Sequence, residues 1–346
     1  MKKVFINGSK ALIEGSVYSG CRYYYGSPRA INRHILHYSS YRFPEVNGFF
    51  TQTESERSAI GMLIGSAISG ARVLTSSTTD GIAAMEEGFP YLCGMEIPCV
   101  IANIMSGKMG FKNFEPTQSG YGQAVRGGTS GDYRFIVLAP SSVQDVYNLT
   151  IKAFELADKY KNPVMILMDS ALAQNYQNTE INTELLSPEN FKKKEWTLTG
   201  AENRDPNKYK LYHDADYKLK KFAEKFKDID NEVILEEFMT EDAEHIYIAF
   251  GMVAEIVREN VIKQREKGIK AGLFRPITLS PFPKEKLLEI SKRVDKITVV
   301  ESNTGLMLYD VLNIVEDKKK VSFIGDTYLS SGFREISLEL EKGLMV

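Results

Sequence analysis

Cysteine, histidine and tryptophan are scarce in this chain, with three, four and one among 346 residues. Cys21, Cys93 and Cys99 are too few, and odd in number, for a disulfide framework. They also cannot supply the four thiolates that hold an iron–sulfur cluster. His34 and His37 could share one helix face, but a pair of partly exposed structural histidines explains this spacing better than a metal site does. We therefore predict no metal held by this chain.

An excess of charge is also missing, since 43 basic and 45 acidic residues leave a formal net charge of −2. That balance gives no electrostatic footprint for nucleic acid. No apolar run approaches the roughly 18–20 residues that span a bilayer, and polar residues interrupt any signal-peptide core near the start. We expect a cytoplasmic protein that binds neither nucleic acid nor membrane. GxGxxG, P-loop and GxSxG motifs are absent, so the chain lacks those phosphate cradles and that nucleophile.

Short apolar runs alternate with segments of helical period. Strands are predicted at residues 4–6, 72–75, 98–101, 135–138, 164–167, 246–250, 270–274, 296–301 and 321–324. These runs are continuously apolar, which is typical of strands buried on both faces of a parallel sheet. A polar segment with a charged helical run separates the two sets. The pattern predicts an α/β fold with helices on both sheet faces and right-handed crossovers.

Several loops and helix entries hold residues suited to ligand binding. The hydroxyl-rich segment Thr75–Gly81 could bind an anion or a polar ring, or simply form a capped turn. Glu54 and Glu56 stand at a helix entry, and residues two apart point to different sides of a helix. At most one of them can face a site, and otherwise both are solvated first-turn carboxylates.

The positions of glycine and proline residues lead to predictions for one helix and two further segments. In the helix after Glu56, Gly61 and Gly65 permit close approach by another backbone or a ligand, or tight helix-on-sheet packing. The glycine-rich segment 106–134 is long for a loop, and we predict that it is ordered and contacts something. Segment 275–283, RPITLSPFP, is predicted to be a fixed irregular loop.

The residues also resemble a known family, the alpha subunits of thiamine-diphosphate-dependent 2-oxoacid:ferredoxin oxidoreductases. The segments that carry this likeness are TESERSAIGMLIGSAISGARVLTSSTTDGIAAMEEG, PTQSGYGQAVRGGTSGDYRFIVLAPSSVQD, FELADKYKNPVMILMD, IAFGMVAEIVRENV, LFRPITLSPFP and VVESNTGLMLYDV. They follow one another in order and cover nearly the whole chain. The branched-chain, or 2-ketoisovalerate, type is the most similar.

The resemblance implies a pyrimidine-binding domain for thiamine diphosphate over 1–178, a connecting segment over 179–244 and a transketolase-C-terminal-like domain over 245–346. It also implies a partner beta subunit, whose GDG…N motif holds Mg²⁺ and the diphosphate, because this chain has no such motif. Gamma- and delta-type subunits and ferredoxin complete the implied complex, with iron–sulfur clusters on partner chains only. The implied reaction is oxidative decarboxylation of a 2-oxoacid to an acyl-CoA.

The resemblance also implies roles for particular residues. The glutamate that hydrogen-bonds the aminopyrimidine N1′ falls on Glu54, where a carboxyl group promotes removal of the C2 proton of the cofactor. The other candidate site residues are Ser77 and Gly81 for the cofactor, and the residues at the positions of the family's substrate site, Ser27, Arg29, Ala30 and Ser106.

Four positions depart from the family's pattern. Ala30 stands where a threonine is usual, and Asp80 stands where a proline is usual. Ser106 stands where the family has an arginine that anchors the substrate carboxylate. The family's histidine is absent at Thr129 or Ser130. Neither alanine nor serine replaces the bidentate grip of a guanidinium. Arg29 is new beside them, and either takes over anion recognition or is solvated.

Three functions stay open on the sequence. The first is a catalytic alpha subunit with an unusual substrate pocket, which a buried carboxylate would favour. The second is a non-catalytic paralogue that serves as a scaffold or regulatory subunit, which Ala30 and Ser106 favour. The third is a free-standing module that binds a small anion through Arg29 and the hydroxyl-rich segment.

Overall fold

The computed structural model describes residues 1–29, 33–108, 111–129, 132–182, 184–186, 194–198 and 215–325, together with 333, 336, 337 and 340. Its strands are β1 Lys2–Asn7, β2 Tyr23–Gly26, β3 Phe49–Gln52, β4 Val73–Thr78, β5 Val100–Lys108, β6 Phe111–Pro116, β7 Ile136–Leu138, β8 Val164–Asp169, β9 Tyr176–Ile181, β10 Leu235–Phe238, β11 His245–Ile248, β12 Ala271–Pro276, β13 Thr278–Ser280, β14 Lys296–Glu301 and β15 Val321–Gly325. Its α-helices are α1 Gly8–Tyr18, α2 Arg33–Glu45, α3 Glu56–Ile68, α4 Thr79–Met85, α5 Phe89–Gly94, α6 Tyr121–Arg126, α7 Val143–Tyr160, α8 Ser170–Gln174, α9 Ala215–Ile229, α10 Gly251–Glu266, α11 Lys284–Arg293 and α12 Leu306–Ile314.

The larger sheet has the strand order β13-β7-β8-β5-β4-β2-β3. Its strands from β7 to β3 are parallel, and β13 joins the edge antiparallel to β7. Every residue of β8 is buried, as its apolar run predicts, and every residue of β4 is buried as well, including the four hydroxyl residues Thr75–Thr78. One apolar cluster covers each face, with Ile101 and Met105 of β5 on one side and Val100 and Ile104 on the other. The predicted α/β fold is therefore confirmed.

A smaller sheet follows with the order β10-β12-β11-β14-β15. Strands β12, β11, β14 and β15 pair in parallel, so the predicted second parallel unit is confirmed. β10 lies within the predicted connecting segment but pairs antiparallel with β12. The connecting segment thus contributes an edge strand to the second sheet.

The structure corrects three predictions about individual segments. β1 does not join the parallel sheet but pairs antiparallel with β9 in a two-stranded ribbon, where Phe5 is largely exposed. Part of segment 106–134 is regular, because β5 extends to Lys108 and pairs with β6, and α6 follows. The proline-rich segment 275–283 contains β13, so its backbone is partly a sheet edge and not wholly irregular.

A buried polar cluster ties the two sheets together at the carboxyl end of β8. Asp169 is fully buried, and its Oδ2 accepts a hydrogen bond from the backbone N–H of Met252 at 2.7 Å. Gln118 donates to the carbonyl of Phe250 at 2.8 Å and accepts from the N–H of Ser302 at 3.1 Å. Burial raises the pKa of Asp169 to about 7, although the hydrogen bonds from Met252 and Gln118 favour its charged form.

This carboxyl group makes stability pH-dependent. Because its pKa in the folded chain lies above the usual value of an aspartate, the folded state retains a proton that the unfolded state releases. We expect the free energy of unfolding to fall as pH rises from 5 to 7, by about 1 kcal/mol per pH unit from this group, and to level off above that. Urea titrations of the wild type and Asp169→Asn across pH 5–8 check this. The difference between the two proteins should change with pH, and a constant difference would contradict the prediction.

Candidate functional site

Two neighbouring carboxylates at the start of α3 have opposite environments. Ser55 caps the helix by accepting from the N–H of Ser58 at 3.2 Å. Glu56 therefore occupies the first helical position and is buried, whereas Glu54 lies before the cap and is exposed. The Glu54 carboxylate accepts a hydrogen bond from the Ser58 hydroxyl. The possibility that both are solvated is wrong, because Glu56 points inward.

Four hydrogen bonds converge on the buried Glu56 carboxylate. Its Oε1 accepts from Ser27 Oγ at 2.5 Å, Arg29 Nε at 2.6 Å and Ser77 Oγ at 3.1 Å. Its Oε2 accepts from Arg29 Nη2 at 3.2 Å. Burial opposes the charged form, but hydrogen bonds from Arg29 and Ser27 outweigh it and lower the pKa of Glu56 to about 2. Glu56 is thus ionised at neutral pH.

The topology of the larger sheet explains why these side chains meet. Strands β4, β2 and β3 are adjacent and parallel, so their carboxyl ends share one sheet edge. Ser77 lies near the end of β4, Ser27 and Arg29 directly follow β2, and Glu56 follows β3. The hydroxyl-rich segment is consequently the end of a strand and the start of α4.

The lack of a side chain at Gly81, in the first turn of α4, lets Ser77 and Glu56 approach the helix backbone closely. A Cβ at this position would lie 2.0 Å from Ser77 Oγ and 2.8 Å from Glu56 Oε1. Either approach is far closer than a Cβ tolerates. The contact between Ser77 and Glu56 therefore depends on a glycine at position 81.

Arg29 has a second partner besides Glu56, and the other positions singled out in the sequence have surroundings of their own. Arg29 is not freely solvated, because its Nη1 also donates to Asp80 Oδ2 at 2.7 Å. Ser106 lies on β5, where its backbone pairs with Pro116. Thr129 is exposed. Ala30 and Ser130 lie outside the described residues.

The sequence analysis missed Glu56 as the inward-facing carboxylate. A signal for it exists in the run Ser55–Ser58, because a serine that caps the helix fixes which residue becomes the first helical position. Across the described residues, no cluster of three or more histidine, cysteine, aspartate or glutamate side chains could hold a metal ion. None of the described helices has the length and apolar composition that crossing a membrane requires.

Comparison with known families identifies the class of protein. Residues 33–240 match the family described as "Pyruvate flavodoxin/ferredoxin oxidoreductase, thiamine diP-bdg". Residues 243–332 match "Pyruvate:ferredoxin oxidoreductase core domain II". The chain carries a thiamine-diphosphate-binding domain, and it belongs to the family of 2-oxoacid:ferredoxin oxidoreductase subunits.

Individual relatives show which members of this family the chain is similar to. The ketoisovalerate oxidoreductase subunit VorB of Methanothermobacter thermautotrophicus is 40% identical over 319 residues, covering 90% of this chain and 89% of the relative. The 2-oxoglutarate synthase subunit KorA of Methanocaldococcus jannaschii is 29% identical over 353 residues, covering 94% and 95%. These relatives are subunits of 2-oxoacid oxidoreductases, as the resemblance implies.

Solved structures support the fold. A 2-oxoglutarate:ferredoxin oxidoreductase from Magnetococcus marinus superposes with a TM-score of 0.82 at 21% identity, covering 98% of this chain and 65% of that chain. A split gene transketolase superposes with a TM-score of 0.61 at 15% identity, covering 98% and 96%. The chain thus spans about two thirds of the Magnetococcus chain.

Proposed function

We propose that this chain is the catalytic alpha subunit of a complex that converts a 2-oxoacid to an acyl-CoA with ferredoxin as electron acceptor. In this proposal thiamine diphosphate binds between this chain and a beta subunit. The observation that carries the proposal is the buried Glu56 carboxylate, held by Ser27 and Ser77 where β2, β3 and β4 end. A scaffold has no need of an ionised carboxylate in that position, since burying a charge is costly.

The residues around Glu56 fit the aminopyrimidine of the cofactor. When bound, thiamine diphosphate supplies the electron sink for loss of CO₂. Glu56 accepts the hydrogen bond at N1′, and Ser27 and Ser77 hold its carboxylate in place. This role moves from Glu54 to Glu56, because Glu54 lies outside the helix cap and its carboxylate is bonded to Ser58 at the surface.

An open helix face beside the site suits the beta subunit. Among the described residues, no atom outside the backbone of α3 itself lies within 4 Å of a Cβ built on Gly61 or Gly65. Tight packing against this chain's own sheet therefore does not explain the two glycines. We take close approach by the backbone of another chain as their explanation. Between them Met62 is 42% exposed. We place the beta subunit, with Mg²⁺ and the diphosphate, on this face of α3.

The other proposed partners are gamma- and delta-type subunits that carry the iron–sulfur clusters, in a cytoplasmic complex. An iron–sulfur cluster needs four thiolates, and this chain has three cysteines. This count supports placing the clusters on other subunits. For the substrate, the identity to the ketoisovalerate subunit favours a branched-chain 2-oxoacid. Its carboxylate needs a cation, and we propose Arg29, since Ser106 cannot form a bidentate ion pair.

The competing proposal is a non-catalytic paralogue, which the alanine and serine at positions 30 and 106 favour. The test is reconstitution with a beta subunit and measurement of CoA-dependent ferredoxin reduction by 3-methyl-2-oxobutanoate, pyruvate and 2-oxoglutarate. We expect turnover, fastest with the branched-chain acid. A complex that binds thiamine diphosphate but turns over none of the three acids would establish the paralogue instead.

A further inference from the structure

Arg29 covers the carboxylate that the proposed cofactor contact requires. Its guanidinium reaches both oxygens of Glu56, at 2.6 Å from Nε and 3.2 Å from Nη2. A planar fork in this position occupies the carboxylate edge to which a ring nitrogen would also bind. The two partners therefore compete for Glu56.

We propose that Arg29 gates cofactor loading: it closes over Glu56 in the cofactor-free chain and is transferred to Asp80 when the aminopyrimidine binds. This inference rests on the proposed function, because it takes Glu56 as the cofactor contact. The gate opens by exchange of one hydrogen-bonded partner of Glu56 for another. No covalent bond changes.

The surroundings of Glu56 divide into fixed and movable partners. Ser27 and Ser77 are buried, and Ser77 lies within the paired strand β4. The Arg29 side chain is 37% exposed, and the residue lies after the end of β2 in a segment without regular structure. Arg29 can therefore leave Glu56 while the two serines continue to orient the carboxylate.

Asp80 is placed to receive the displaced guanidinium. Its Oδ2 already accepts from Arg29 Nη1 at 2.7 Å, and its side chain is 62% exposed in the first turn of α4. Arg29 can thus rotate away from Glu56 and keep a counter-ion throughout, which avoids the large cost of an unpaired, partly buried charge. The edge of the guanidinium that faces Glu56 then becomes free for the carboxylate of a 2-oxoacid.

The affinity of the assembled complex for thiamine diphosphate tests the gate, by calorimetric titration without substrate. Arg29→Ala is expected to bind the cofactor about tenfold more tightly than the wild type, because a charged competitor for Glu56 is gone. Arg293→Ala is the matched control. The Arg293 side chain on α11 is 37% exposed, like that of Arg29, and its partners are Glu237 and the carbonyl of Glu241. It should leave the affinity unchanged.

A second substitution separates gating from a simple gain in space. Asp80→Asn removes the receiving carboxylate, so it should weaken cofactor binding about tenfold in the wild-type background and have no effect in the Arg29→Ala background. Unchanged or weaker binding by Arg29→Ala would overturn the gate, and so would equal effects of Asp80→Asn in both backgrounds. If neither the wild type nor Arg29→Ala binds the cofactor in an assembled complex, the proposed function itself fails.

Discussion

Glu56→Gln in the assembled complex is expected to lower turnover by about 10²- to 10⁴-fold, the range typical for loss of a positioned acid–base group. The amide matches the volume of the carboxylate but cannot carry its charge or exchange a proton with the aminopyrimidine. Ser27 and Ser77 can still bond to the amide oxygen, but the ion pair with Arg29 is lost, so we expect the fold to be kept with a lower thermal midpoint. The measurement is 2-oxoacid-dependent ferredoxin reduction alongside thermal unfolding.

Glu54→Gln is the comparison that distinguishes the two assignments. It removes the same charge at the same helix entry, but from an exposed side chain bonded to Ser58. We expect turnover within about twofold of the wild type, since surface substitutions away from a site have small effects. A large loss in Glu54→Gln with an active Glu56→Gln would return the role to Glu54.

Gly251→Ala is expected to cause the largest loss of stability, about 2–4 kcal/mol in the free energy of unfolding. Gly251 begins α10 with φ of +59°, a conformation that an L side chain rarely adopts. A Cβ there would lie 2.3 Å from Asp169 Oδ2 and 2.9 Å from Gln118 Nε2. The substitution thus combines backbone strain with disruption of the polar cluster between the sheets.

Gly268→Ala is a matched control that measures the loss of stability from backbone strain alone. Gly268 has φ of +81°, and in the part of the chain that the structure describes no atom beyond its chain neighbours lies within 4 Å of an added Cβ. We expect a loss of only about 1 kcal/mol there, from conformation alone. Denaturant midpoints of both variants check the difference. Equal losses would show that the contacts of Gly251 with Asp169 and Gln118 contribute nothing.

The apolar runs predicted the buried strands well but not the ribbon at the chain start. β8 and the start of β4 carry apolar side chains toward both sheet faces because both faces are covered, and this is visible in the sequence. β1 has an equally apolar run, but its partner is β9, about 170 residues further along the chain. Pairing over such a distance depends on tertiary contacts, which local composition does not encode.

The sequence predicted the candidate site only in part, because its residues also meet through tertiary contacts. The hydroxyl-rich segment, the glutamate pair and Arg29 were each recognised, but they lie in three separate segments that only the order of β4, β2 and β3 brings together. The two glutamates differ through a helix cap, a local feature that the sequence does contain. The contact of Arg29 with Glu56 depends on both the strand order and the helix cap.

The exchange of the C2 proton of bound thiamine diphosphate with deuterium tests the role of Glu56 most directly, because it needs neither substrate nor electron acceptor. We would measure its rate by quenched-flow NMR in assembled complexes of the wild type, Glu54→Gln and Glu56→Gln. We predict fast exchange in the first two and exchange close to that of free cofactor in Glu56→Gln. Fast exchange in the Glu56→Gln complex would contradict the assignment of Glu56 as the residue that activates the cofactor.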